Sequence, residues 1–250
     1  ALLRLAELHR DASSGRHLEM LRYQAVETQS ESLTLRQLFA SKELRKQLVV
    51  AIFIQLSMQL SGIDAIFYYS TSVFRSMGVE DPQLASTALG LTNVLMTLVA
   101  IALMDKAGRR SLLLFSWSGM CLCYALLTVA HLCSPAEGQT PVWVQNLAIV
   151  SMAGVVATFA VGPGCVAWFV IAEIFPTHAK DALLNLGVSL NWIANWIVAF
   201  TFPFVQQWLG RYTFVMFMAS TGGFGIFTLC CVPETKSRVL QELTREFQRC

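Results

Sequence analysis

The sequence predicts an all-α membrane protein with six transmembrane helices. Two observations on composition support this fold class: hydrophobic residues make up 55% of the chain and charged residues only 14%, which is unusual for a soluble domain. A third observation is the length of the apolar runs, because a helix needs about 20 residues to cross the hydrocarbon core. Six such runs occur, at residues 48–74, 84–104, 111–133, 142–172, 182–206 and 212–232.

The first 46 residues differ from the rest because they are polar and helix-forming and contain eight Lys or Arg. We expect residues 1–46 to be a cytosolic helical linker segment, 47–233 the transmembrane bundle and 234–250 a cytosolic tail. The sequence lacks an initiator Met and an apolar signal core behind a basic start. We therefore expect it to be part of a longer chain.

The basic residues predict the orientation of the bundle. If six spans alternate in direction, 16 of the 18 Lys and Arg fall on one side and only Arg75 and Arg211 on the other. Because cytosolic loops are enriched in Lys and Arg, we expect both termini of this segment to be cytosolic.

The first span carries polar residues in a regular pattern. Gln55, Gln59 and Gly62 are spaced i, i+4 and i+7, which places them on one helical face. Asp64 follows as the one carboxylate well inside a span, and Tyr68 begins an unusually polar second half. Since irregular backbone at membrane depth is tolerated only where protein or water satisfies it, we expect a broken helix beside a cavity.

Three other spans have polar or aromatic residues in their interiors. Asn93 lies in the second span, where it could bind a ligand or hold two helices together. The fourth span is interrupted by Pro163, with Trp168 just beyond it, and the fifth contains Asn191 and Trp192. A Trp can also mark the membrane interface, but these two lie near helix breaks and amides.

These groups suit a neutral polyhydroxy ligand. Amides supply paired donors and acceptors for hydroxyl groups, and an indole can cover the apolar face of a sugar ring, whereas an ion or phosphate site would need charges. The spacing of Cys121 and Cys123 does not match a zinc site, and we expect no metal and no cofactor. No nucleophile–base constellation is visible, so we predict no enzyme and no nucleic-acid partner.

Five motifs resemble, in order and spacing, those of the sugar porter family of the major facilitator superfamily, and most closely the animal facilitative hexose transporters. They are "QLSMQLSGIDAIFYYSTSVF", "DKAGRRSLL", "VGPGCVAWFVIAEIFPTHAK", "NWIAN" and "VPETKSR". The resemblance covers residues 35–247. It implies the C-terminal six-helix bundle of a plasma-membrane transporter whose N-terminal six-helix bundle is a further partner.

The resemblance also implies roles for individual residues. Tyr68 and Tyr69 match an aromatic pair that closes an outer gate. Asp64 stands where the family usually has a sugar-binding Asn, and could accept a sugar hydroxyl or lie in a wet outer vestibule. The full set of predicted sugar-binding residues is Gln55, Gln59, Asp64, Asn93, Trp168, Asn191 and Trp192.

Further positions depart from the family pattern. Met58 replaces a second sugar-binding Gln, Ala160 replaces a Glu, and Cys165 and Ala167 replace prolines. The Gln-Leu-Ser triplet that begins at Gln55 is associated in the family with glucose. Glucose is therefore favoured, although these changes alter the hydrogen-bonding groups of the pocket.

A set of charged residues near the cytosolic helix ends resembles the family's salt-bridge latch, which holds the outward-facing state. Lys180 replaces the customary Arg and so loses a planar bidentate donor. The alternative is that these charges only set topology. The latch residues are Asp105, Arg109, Arg110, Glu173, Lys180, Glu234 and Arg238.

The resemblance implies facilitative transport of a hexose by alternating access of two bundles around a midplane site. The alternatives are a sugar sensor that binds without transport, which would explain the changes at Met58, Asp64 and Lys180, and a sugar/proton symporter of the same fold. An ion channel is a weaker alternative, since neither a charge ring nor a filter motif is visible.

Overall fold

The computed structural model describes residues 33–41, 44–104, 106–135, 139–236, 238 and 243. The predicted linker segment up to residue 32 and most of the tail lie outside these ranges, so the domain boundaries remain predictions. Within them the chain forms nine α-helices and no strands. The helices are α1 (Leu35–Ala40), α2 (Arg45–Leu60), α3 (Ile63–Ser76), α4 (Pro82–Met104), α5 (Arg109–Cys133), α6 (Val142–Val161), α7 (Pro163–Ile174), α8 (Thr177–Leu209) and α9 (Thr213–Cys231).

Five continuous helical segments of the described chain are long and apolar enough to cross a membrane. The last of them, Thr177–Cys231, has 55 residues and would be about 80 Å long as one helix, far more than the roughly 30 Å of hydrocarbon. It contains a 3-10 turn at Gly210–Tyr212, where Gly210 has a φ of 53°. The segment therefore supplies two spans, and the bundle has six.

Two spans are interrupted at the predicted positions. Helix α2 ends at Leu60 and α3 begins at Ile63, with Gly62 between them at a φ of 83°. A Cβ at Gly62 would also collide with the ring of Phe217. The second break lies between α6 and α7, where Pro163 is the first residue of α7 and needs no backbone donor.

The alternating spans bring one set of helix ends together at what we call the charged end of the bundle. It contains the start of α2, the start of α5, the junction of α7 with α8 and the end of α9. Helix α1 is held there by a hydrogen bond of 2.9 Å from Leu33 N to His178 O. Residues 177–181, which lie between two of the predicted apolar runs, form the first turns of α8, and Pro176 is the N-cap residue of that helix.

The helices differ in how much apolar surface they leave uncovered. Helix α5 packs along α6 and α9, while α2 packs against α7 and α8. Helices α4 and α8 carry long rows of exposed large apolar side chains. On α4 these are Leu84, Leu91, Val94, Leu95, Leu98, Val99 and Ile101, and on α8 they are Val188, Trp192, Ile193, Trp196, Ile197, Phe200, Phe204, Trp208 and Leu209.

Candidate functional site

Three predicted sugar-binding residues meet in the middle of the bundle, in what we call the amide cluster: Gln55, Gln59 and Asn191. Gln59 Nε2 donates to Asn191 Oδ1 at 2.9 Å, and Asn191 Nδ2 donates to Gln55 Oε1 at 3.4 Å. All three side chains are buried. The i, i+4 spacing on α2 therefore faces α8, and the amides link two helices.

The amide cluster leaves one donor and one acceptor unused. Gln55 Nε2 and Gln59 Oε1 are buried and have no hydrogen-bond partner among the described residues. An unpaired buried polar group costs about 1–3 kcal/mol. A ligand hydroxyl could satisfy both kinds of atom, because it donates and accepts. In this conformation both atoms are covered, so a ligand reaches them only after a side chain rotates or a helix moves.

The break after α2 lies beside this cluster and has partners of its own. Tyr124 on α5 donates its hydroxyl to the Ser61 carbonyl at 2.8 Å, and Asn191 Nδ2 lies 3.8 Å from Met58 Sδ. Sequence reasoning missed Tyr124, since a single Tyr in an apolar span gives no signal of a distant backbone partner.

A second polar layer lies one turn further along α3. The Tyr68 hydroxyl lies 3.4 Å from the Asn195 side chain, and Asp64 also interacts with Asn195. Asp64 Oδ2 is buried without a hydrogen-bond partner in the described part of the chain. Tyr69 donates to the Ala199 carbonyl at 2.7 Å. Both predicted gate tyrosines thus connect α3 to α8.

The remaining predicted sugar-binding residues stand apart from the amide cluster. Asn93 and Trp168 are half-buried, and Trp192 is 66% exposed on the outer surface of α8. Within the described ranges, no side-chain hydrogen bond joins these three residues to the cluster. The Trp192 side chain is therefore open to the surroundings of α8 rather than packed inside the bundle.

A second polar group, which we call the charged-end cluster, consists of Arg109, Glu173, Glu234 and Thr235. Arg109 donates from Nε to Glu173 Oε1 at 3.0 Å and forms a salt bridge from Nη2 at 2.9 Å. The other oxygen of Glu173 accepts a hydrogen bond from the Thr235 hydroxyl. The carboxylate thus joins the end of α7 to the start of α5 and to the segment after α9.

Glu234 completes this cluster by capping a helix. Its Oε1 accepts from the backbone N–H of Arg109 at 2.8 Å and of Lys236 at 3.1 Å. Because the first N–H groups of a helix lack intrahelical partners, a carboxylate there stabilises α5. A Cβ at Gly108 would collide with this carboxylate, so the Gly of the Gly-Arg-Arg motif leaves room for it.

The other predicted latch residues are placed differently. Arg110 donates to the Leu229 carbonyl at 2.5 Å, and Arg238 N donates to the Thr235 carbonyl at 3.3 Å. Asp105 lies outside the described residues. Glu173, Lys180, Arg109 and Arg110 were predicted to belong to one latch, and the salt bridge of the described residues joins two of them, Glu173 and Arg109. The sequence analysis missed Thr235, the Thr of the Pro-Glu-Thr-Lys run, because its hydroxyl is uncharged and the prediction was based on charged residues.

Neither cluster resembles a metal centre. The described residues contain no group of three or more His, Cys, Asp or Glu that could hold a metal ion. The described cysteines are free thiols. The amide cluster consists of neutral amides, which donate and accept hydrogen bonds.

Comparison with known proteins places the chain in a family. The family model for "Sugar (and other) transporter" matches residues 8–247. The facilitated glucose transporter member 4 of solute carrier family 2 from Bos taurus is 42% identical over 217 residues, covering 87% of this chain and 42% of that protein. Member 1 from Gallus gallus is 39% identical over 219 residues, covering 88% of this chain and 44% of that protein.

A solved structure supports the same family. The crystal structure of a double-Trp mutant of XylE superposes with a TM-score of 0.71 at 28% identity, covering 81% of this chain and 43% of that one. The chain thus spans less than half the length of these three relatives, which fits the prediction of a C-terminal half. The relatives are transporters rather than enzymes, as predicted. This chain is an integral membrane protein that belongs to the sugar (and other) transporter family.

Proposed function

We propose that this bundle is the C-terminal half of a facilitative hexose carrier, with glucose as the favoured substrate. The observation that carries the proposal is the amide cluster, in which Gln55, Gln59 and Asn191 connect two spans and leave a donor and an acceptor unpaired. The names of the curated relatives, which are facilitated glucose transporters, support the same substrate class.

The substrate path lies between this bundle and a second six-helix bundle. The exposed apolar rows of α4 and α8 support this arrangement, because such surfaces must face lipid or another protein. Trp192 and Tyr68 would then face the substrate path from this side. Alternating access would follow from rocking of the two bundles around a midplane site, with the breaks at Gly62 and Gly162 allowing α3 and α7 to move separately from α2 and α6.

The charged end is assigned to the cytosol and the protein to the plasma membrane. The concentration of Lys and Arg at this end supports the assignment. There the charged-end cluster would act as a latch: it ties α5, α7 and the segment after α9 together, and it opens when the bundles separate on the cytosolic side.

The test is hexose uptake by the whole carrier in proteoliposomes. We expect saturable glucose uptake down its gradient, inhibited by unlabelled glucose and unchanged by an imposed pH gradient. Uptake that requires a proton gradient would replace uniport by symport. Glucose binding without counterflow would instead identify a sensor.

A further inference from the structure

A groove runs along the surface between α2 and α9, starting at the charged end. Its first part is a cavity of about 530 Å³ with Arg45 and Lys46 at the rim and Val49, Val50 and Phe227 along the walls. A second cavity of about 520 Å³ shares Phe227, Cys230 and Cys231 with the first. The two cavities therefore form one continuous groove, which has the two cations at its outer end and mainly apolar residues along its inner part.

Aromatic rings line much of the inner part of the groove. Phe53 stacks on Phe227 with ring centroids 3.6 Å apart, and these rings line the second cavity together with Phe224 and Gly223. No atom lies within 4 Å of where a Cβ at Gly223 would be. The groove thus has room for a slender apolar chain along α9.

The cations at the rim are available for an anion. Arg45 and Lys46 are exposed. Neither takes part in the salt bridge found among the described residues, which joins Arg109 to Glu173. Both cations lie in the first turn of α2, where the helix dipole adds positive potential. The rim therefore attracts negative charge, and it lies where the first apolar span begins.

We propose that this groove binds one anionic phospholipid, with its phosphate group at Arg45 and Lys46 and one acyl chain lying over the Phe53–Phe227 stack toward Gly223. Charge complementarity at the rim and the apolar inner wall select this occupant, since each matches one end of the lipid. A basic residue near an anionic membrane surface contributes about fivefold in binding.

The groove contains its own reporters. Cys230 and Cys231 are exposed and line both cavities, while Cys133 is exposed at the opposite end of the bundle. The protein is reconstituted in vesicles of phosphatidylcholine alone or with phosphatidylglycerol, and alkylation by a neutral maleimide is followed by peptide mass spectrometry. Phosphatidylglycerol should slow labelling of Cys230 and Cys231 about fivefold or more and leave Cys133 unchanged.

Variants separate the two ends of the lipid. Arg45→Gln and Lys46→Gln should each weaken retention of phosphatidylglycerol about fivefold, whereas Arg75→Gln, an exposed cation at the opposite end, should not. Gly223→Leu fills the inner groove and should abolish the protection of Cys230 and Cys231 with both cations in place. Size-exclusion chromatography checks folding, and the charge variants decide if Gly223→Leu does not fold.

Several results would overturn the proposal. Equal labelling in the two kinds of vesicle would mean that no anionic lipid occupies the groove. Slow labelling in phosphatidylcholine alone would mean that a zwitterionic lipid, another segment or a protein covers the groove, so that the groove does not select an anionic lipid. If inorganic phosphate alone protected Cys230 and Cys231 from alkylation, the rim would be a simple anion site. If phosphatidylglycerol still protected them in the double variant of Arg45 and Lys46, the cations would have no role in binding.

Discussion

The amide cluster and the charged-end cluster are two polar groups in one apolar bundle, and they differ in how completely their atoms are used. In the charged-end cluster both oxygens of Glu173 have partners, and Glu234 Oε1 accepts two backbone hydrogen bonds. In the amide cluster Gln55 and Gln59 each keep an unpaired buried atom. Both clusters join helices, but only the amide cluster keeps buried atoms without partners, and this difference supports our proposal that a ligand binds there.

The two clusters also differ in charge, and this difference agrees with their surroundings. The charged-end cluster lies where water can reach it, since the side chains of Arg109 and Glu173 remain 17% and 28% exposed, so an ion pair is tolerated there. The amide cluster lies at midspan, where charged groups are expensive, and uses neutral groups instead. The predictions below test this contrast, from the largest expected effect to the smallest.

The largest effect is expected from Gly62→Ala at the break beside the amide cluster. The new Cβ would meet the Phe217 ring and occupy a backbone with φ of 83°. Overpacking costs about 1–3 kcal/mol and the left-handed conformation about 1–2 kcal/mol more. We expect a loss of about 2–5 kcal/mol in free energy of unfolding, measured by denaturant titration in detergent.

Gly90→Ala on α4 is the matched control. Its Cβ would meet nothing within 4 Å, and Ala has the higher helix propensity, so stability should stay equal or rise slightly. Equal stability of both variants would show that the break does not depend on Gly62.

The next effect is expected from Gln59→Leu in the amide cluster. The substitution removes the unpaired acceptor and the donor to Asn191. Loss of a hydrogen bond to a sugar hydroxyl should cost about 1–3 kcal/mol, or roughly tenfold in apparent affinity for glucose. The measurement is competition of glucose, fructose and galactose for uptake by the whole carrier.

The comparison variant is Trp192→Ala, at a residue with no hydrogen bond to the amide cluster. If Trp192 stacks on the sugar from the substrate path, binding should weaken without a change in selectivity among the three hexoses. Unchanged affinities in both variants, at normal expression, would return these residues to a packing role.

The sequence located the two helix breaks and the shared face of Gln55 and Gln59, and for the charged-end cluster it named residues but not all of their partners. Glycine and proline interrupt helices by local chemistry, so Gly62 and Pro163 could be located from the sequence alone. The i, i+4 spacing of Gln55 and Gln59 fixed a shared face. Residues whose role depends on a neighbouring helix were harder to predict. Periodicity defines the faces of one helix, but it does not define how that helix is rotated against its neighbour.

Trp192 and Lys180 illustrate this limit. Both were assigned to clusters from motif positions. Trp192 follows Asn191 directly, and one residue is a rotation of about 100° around the helix, which turns the indole away from the amide cluster. For Lys180, the family pattern placed the residue in the latch, and among the described residues the Glu173 carboxylate binds Arg109 and Thr235.

A comparable effect is expected from Glu173→Gln in the charged-end cluster, but on conformation rather than on affinity. The amide keeps an acceptor for Thr235 and loses the charge that pairs with Arg109. If the cluster is a latch, the equilibrium should move toward the inward-open state by about 1–3 kcal/mol. Cysteine accessibility from the cytosolic side of the whole carrier reports the shift.

Two controls accompany this variant. Glu80→Gln removes an exposed carboxylate at the opposite end and should leave accessibility unchanged. Lys180→Met should also have little effect, because Glu173 pairs with Arg109. A shift from Lys180→Met as large as that from Glu173→Gln would restore Lys180 as the latch partner.

The smallest effect is expected from Met58→Gln, which makes the amide cluster more like the charged-end cluster by adding a stronger acceptor. Met58 Sδ lies 3.8 Å from Asn191 Nδ2, and a thioether is a weak acceptor. A Gln carbonyl there should gain a hydrogen bond worth about 0.5–1.5 kcal/mol and offer its own amide to a sugar. We expect the affinity for glucose relative to fructose to rise roughly two- to tenfold, measured by competition in the whole carrier. Met58→Leu, which removes the sulfur and adds no polar group, should leave the ratio unchanged. Should Met58→Leu and Met58→Gln give the same ratio, the acceptor at this position would have no part in selectivity, and the amide cluster would have to select sugars through Gln55 and Gln59 alone.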